Sequence, residues 1–138
     1  MRMMSRIVMI GMLVAVGTVV TSAHHSFAAM YDSAKPVTLK GTVTQLQFKN
    51  PHIWIFVDVP GSSGTVSWAC EGGQPTSLFR NGWRPDSVKA GDVVTMEGFA
   101  ARTGKPVCNV RNLTMADGTK VFAGAVGDGA PTAPTPAR

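Results

Sequence analysis

Three features of the chain predict an all-β domain. Five stretches rich in Val, Ile, Thr and aromatic residues are separated by Gly, Pro, Asn or Asp. One segment alone carries helical punctuation, and it falls between the third and fourth stretches. About 100 residues remain once a leader and a tail poor in large apolar groups are set aside, enough for one core and too few for two. Five strands with a helix in that slot follow the order of an OB-fold, so the expectation is a small five-stranded OB-fold-like barrel. An open sandwich of the same strands is the alternative.

At the N-terminus, Met1 to Arg6 carries Arg2 and Arg6 without an acid, Ile7 to Val20 is uncharged, and Thr21-Ser22-Ala23 offers small residues to a peptidase. Residues 1–23 therefore read as a secretory signal peptide, and the protein is expected in the periplasm. The 14 uncharged residues fall short of the ~20 that cross a bilayer as a helix. No stable membrane span is expected after cleavage. The cut is placed after Ala23; a cut after Ala28, with Ser26 three places before the bond, is the alternative, and bulky Phe27 opposes it.

Residues 24–123 form the predicted domain. Its strands are Val37 to Phe48, His52 to Val59, Thr65 to Glu71, Val93 to Gly98 and Val107 to Met115. Pro60-Gly61-Ser62-Ser63-Gly64 suits a hairpin, Lys89-Ala90-Gly91-Asp92 leads into the fourth strand, and Asp117-Gly118 closes a last hairpin with Lys120 to Phe122. The helix is Pro75 to Gly82, with Pro early and Gly late, and Trp83 is expected to pack its end onto the strands. Residues 124–138 are Gly, Ala, Pro and Thr apart from Val126, Asp128 and Arg138 and are expected to form a disordered tail.

Charge and motifs exclude several functions. Thirteen Lys and Arg face eight Asp and Glu; removing Arg2 and Arg6 with the leader leaves eleven against eight, a net +3. No basic run tracks a phosphate backbone, so nucleic acid is not an expected partner. No Gly-rich phosphate loop or Ser, His and acid set stands out, and an enzyme is not the expected class. Asp58, Asp92 and Glu97 fit solvated faces. Glu71 differs, because it lies beside Cys70 and before Gly72-Gly73, where backbone can approach a ligand closely.

Alternation in the second strand puts Ile53, Ile55, Val57 and Val59 on one face, the core, and His52, Trp54, Phe56 and Asp58 on the other. Trp54, Phe56 and Glu71 are thus candidates for a ligand face, since these strands bind ligands in OB-folds. Alternatively, Trp54 and Phe56 lie under the N-terminal segment or the helix. A segment packed there would bring His24 and His25 toward His52. The two cysteines, Cys70 and Cys108, fit one disulfide in an exported chain. A soft copper(I) site with Met96 or Met115 is the rival reading.

His24-His25-Ser26-Phe27-Ala28-Ala29-Met30-Tyr31-Asp32, Lys40-Gly41-Thr42-Val43, Asn50-Pro51-His52, Trp68 with Glu71, Leu78 with Gly82-Trp83, Gly91-Asp92 with Val94-Thr95, and Leu113-Thr114 before Ala116-Asp117-Gly118 resemble a family of small exported bacterial proteins classed as a domain of unknown function. The likeness runs from His24 to about Phe122. It implies a bacterial envelope protein with a small β-barrel and supplies no activity. Cys70 and Cys108 are not part of the shared pattern.

Metal binding follows from chemistry instead. Cleavage after Ala23 leaves His24 with a free amine of pKa about 7.7 beside an imidazole of about 6.5, so both offer lone pairs at neutral pH. With His25 or His52 adding a third nitrogen, the set suits Cu(II). The shape resembles the histidine brace of copper-dependent polysaccharide oxygenases, but a chain this small lacks a broad substrate platform. The expected function is a periplasmic binding module for copper or a small ligand through His24, His25 and His52. The alternative is a structural or interaction module that docks another envelope protein.

Overall fold

The computed structural model describes residues 27–125. Residues 1–26, which include the expected signal segment, His24 and His25, and residues 126–138 lie outside the described residues. The elements in order are α1 (Phe27–Met30), β1 (Tyr31–Gln47), β2 (Trp54–Gly61), β3 (Gly64–Glu71), α2 (Pro75–Arg80), β4 (Val93–Ala101), β5 (Val107–Met115) and β6 (Lys120–Phe122). The class is all-β, as expected. All six strands belong to one sheet, which argues against two packed sheets.

β1 is 17 residues long and serves two partners. Its first part pairs with β4 and its second with β2, the two ladders meeting at Thr42. β2 and β3 form the hairpin predicted at residues 60–64. β4 pairs with β5, and β5 pairs in parallel with β3 through Ala69↔Val107, Cys70↔Cys108 and Glu71↔Asn109. Each of the five main strands therefore has a paired neighbour on both sides, which removes the exposed edges that an open sheet presents. The β4–β5 register shifts between Glu97 and Gly98, where a Cβ would stand 1.9 Å from the Asn109 carbonyl oxygen. Only glycine lets the two backbones approach so closely.

Alternation at β2 follows the sequence reading for Ile53, Ile55 and Val57, which are buried, while Val59 is half-buried against the core and the outward neighbours are half-buried. The three buried side chains join Val43, Cys70, Val94, Met96, Val110 and Leu113 in the main core. α2 covers one end with Leu78, and Trp83 follows it into the core while its indole N–H donates to the Phe122 carbonyl at 3.1 Å. Cys70 and Cys108 are bonded, with Cα atoms 4.5 Å apart. The disulfide overturns the copper(I) reading, because bonded sulfurs offer no thiolate and Met96 is buried in the core.

A second, smaller core was not anticipated. Phe27, Tyr31, Phe99 and Ala101 cluster on the opposite side of the β4–β5 ladder, with Val107 against them. The Phe27 ring stacks on Tyr31 at 5.7 Å and meets Phe99 edge-on at 5.5 Å, geometries that suit aromatic quadrupoles. Arg102 secures the same segment: its backbone N–H donates to Met30 and its Nε to the Ala28 carbonyl.

Candidate functional site

Four polar side chains from separate parts of the chain meet under α1. Tyr31 opens β1, His52 stands two residues before β2, Glu71 ends β3 and Asn109 is the third residue of β5. The head of β2 is clamped to the end of β3, since Ile53 N–H donates to the Gly73 carbonyl and Gly72 N–H to the Ile53 carbonyl. Gly72 has to be glycine here, because a Cβ would lie 2.6 Å from the Ile53 side chain and 2.7 Å from the Ala123 carbonyl. The parallel ladder sets Glu71 beside Asn109. Cys70 and Cys108, one position earlier, point into the main core, so Glu71 and Asn109 face the other way, toward Phe27.

Glu71 is the hub. Its Oε2 accepts the Tyr31 hydroxyl at 2.5 Å and its Oε1 lies 2.5 Å from His52 Nδ1. Burial, followed by the hydrogen bond to Glu71 and its charge, pushes the Tyr31 hydroxyl far above the ordinary tyrosine range, so Tyr31 stays a donor. A carboxylate already accepting from Tyr31 accepts again from His52, which places the imidazole hydrogen on Nδ1. In its neutral form the ring keeps its lone pair on Nε2, which has no hydrogen-bond partner among the described residues. The side chains of His52 and Glu71 are 28% and 14% exposed, a half-open position.

Behind this pair lies a cavity of about 30 Å³ lined by Phe27, Met30, Tyr31, His52, Glu71, Gly72, Asn109 and Ala125. That is room for one water molecule. Asn109 is 4% exposed, and its Oδ1 has no hydrogen-bond partner among the described residues. The far wall comes from the C-terminal side: Arg111 Nη1 donates to the Ala125 carbonyl, so packing continues to Ala125.

Of the residues singled out from sequence, His52 and Glu71 are brought together and Cys70 and Cys108 are joined beside them. Trp54 and Phe56 pair with Glu71 and Ala69 across β2–β3 but do not line the cavity. His24 and His25 lie outside the described residues. Sequence reasoning gave no role to Tyr31, Phe27 or Asn109. Tyr31 is the single tyrosine of the chain, and Asn109 is a polar residue inside an apolar strand; those were the available signals. Among the described residues no group of three or more His, Cys, Asp or Glu is placed to hold a metal ion. The His52–Glu71 pair would need further ligands from outside them.

A second concavity of about 300 Å³ is lined by Phe48, Pro75, Thr76, Phe79 and Arg80. Phe79 is 51% exposed, with the Arg84 guanidinium 4.0 Å over its ring. Among the described residues no helix is long and apolar enough to cross a membrane.

No curated protein matches the chain. A family model matches residues 12–109, a span that takes in Phe27, Tyr31, His52, the disulfide, Glu71 and Asn109. On that match, over well more than half of its length, the chain belongs to a family of unknown function, DUF6152.

Proposed function

We propose that this protein is an exported, non-catalytic metal-binding module of the bacterial envelope, an OB-type barrel that binds Cu(II) through His52 and its processed N-terminus. The observation that carries the reading is the His52–Glu71 pair beneath Phe27. A carboxylate on one imidazole nitrogen fixes the tautomer and raises the basicity of the other, which is how metal-binding histidines are commonly held. His25 and His24 precede Phe27 by two and three residues, so at most about 10 Å of backbone separates the α-amine of His24 from the cavity wall. An amine and two or three imidazoles form the nitrogen set that Cu(II) favours.

The reading requires the export cut after Ala23. Burial of Phe27 and the Arg102 bond to the Ala28 carbonyl support it, since a cut after Ala28 would discard a core side chain together with both histidines. Calorimetric titration of metal-free mature protein with Cu(II) tests the proposal. One ion is expected per chain, with affinity falling below about pH 6 as protons compete for imidazole and amine. One extra residue before His24, or His52→Ala, is expected to weaken binding by about tenfold or more. Equal affinity in native and extended chains defeats the chelate. A second reading, an interaction module, draws on the exposed Phe79 beside its apolar groove and would then take precedence.

A further inference from the structure

We infer that the cavity behind His52 is a subsite for a primary ammonium group. This goes beyond the metal reading and does not rest on it. The polar atoms there offer lone pairs to an occupant. Tyr31 and His52 direct their hydrogens at Glu71, and the carboxylate, with about four acceptor positions, retains capacity after both bonds. Asn109 Oδ1 is a buried acceptor with no donor among the described residues, the kind of group that native structures leave unpaired only when something else satisfies it.

Charge and shape narrow the occupant. No Lys or Arg lines the cavity, and Glu71 gives it one formal negative charge. Phe27 and Tyr31 add aromatic carbon to the same wall. A volume of about 30 Å³ admits one water-sized group, which accommodates the –NH₃⁺ tip of a primary amine and excludes a quaternary ammonium. Three donors on that tip match the Asn109 and Glu71 acceptors. The ammonium has two sources, a solute amine or this chain's own α-amine at His24, three residues before Phe27.

The test uses metal-free mature protein, in the native form and extended by one residue before His24. Methylammonium chloride is titrated against tetramethylammonium chloride and potassium chloride at equal ionic strength, following the NMR signals of the Asn109 side-chain amide and the His52 ring. Saturable shifts with methylammonium alone are expected. Weaker methylammonium binding in the native form than in the extended form assigns the site to the chain's own amine, and equal binding assigns it to a solute amine. Asn109→Leu is expected to weaken binding by about tenfold, the loss of one hydrogen bond to a charged group. Asn109→Asp, which keeps shape and adds charge, is expected to tighten it and keeps the test open if the leucine variant does not fold. Equal, unsaturating shifts with all three salts in both forms overturn the inference, as does unchanged binding in both Asn109 variants. Neither outcome touches the copper reading, because no metal is present.

Discussion

Tyr31 offers a direct test of the geometry under α1. It is the only tyrosine in the chain, so the tyrosinate absorbance of the protein reports this one hydroxyl. The side chain is 2% exposed and its hydroxyl donates to Glu71. Burial and the carboxylate raise its folded pKa above the ordinary 10.0. A raised folded pKa means that the stability contributed by the neutral hydroxyl is complete below pH 10 and is lost as pH climbs above it, because the unfolded chain ionises first. The loss approaches about 1.4 kcal/mol per pH unit until the folded value is reached. Removing the donor has a separate cost: Tyr31→Phe leaves Glu71 with one donor fewer, about 1.5–3 kcal/mol for a bond to a charged acceptor. Alkaline titration followed by tyrosinate absorbance and far-ultraviolet circular dichroism checks both. The two signals are expected to change together above pH 10, and the phenylalanine variant is expected to be less stable at neutral pH with a shallower alkaline decline. Tyrosinate appearing near pH 10 while the sheet signal stays native would refute the buried Tyr31–Glu71 contact.

Two further outcomes follow from packing. Replacing both cysteines, Cys70→Ala with Cys108→Ala, releases a link between residues 38 positions apart and is expected to lower unfolding free energy by about 4 kcal/mol in the chain-entropy model; an unchanged urea midpoint would count against the bridge. Phe27→Ala empties the centre of the small core and is expected to cost about 3 kcal/mol, read as a lower melting temperature. A melting temperature equal to that of the parent would show that α1 does not pack on β4.

The sequence was most legible where local signals and long-range pairing agree. Val107 to Met115 and Lys120 to Phe122 were located to the residue, because apolar stretches bounded by Gly and Asp coincide with their ladders. β1 begins six residues before the expected Val37. Asp32-Ser33-Ala34-Lys35 is polar and largely exposed, shows no alternation, and precedes a proline. It is a break in register held at both ends by a strand distant in sequence, since Tyr31 pairs with Ala101 and Pro36 with Phe99. The Pro75 helix ends at Arg80, two residues short of Gly82. At the site, His52 and Glu71 were visible as a histidine at a strand head and an acid before two glycines. Asn109 was not, because only the parallel β3–β5 pairing sets it beside Glu71, and no local pattern encodes a parallel partner.

That pairing also explains where the site forms. The β3–β5 ladder is three residues long and stops at Glu71↔Asn109; past it the chain turns through Gly72 and Gly73 to meet Ala123 and Gly124. A ladder that ends leaves side chains without the next pair to cover them, and α1 supplies the cover with Phe27. The disulfide holds the position immediately before, so the separation of Glu71 and Asn109 is set by a covalent bond one residue away. Tyr31 and His52 then fix the Glu71 carboxylate from both oxygens. A carboxylate restrained at its backbone and at both oxygens cannot turn away from the cavity it faces. The arrangement therefore favours a role in which Glu71 holds and orients a ligand or a ligating histidine over one in which it moves.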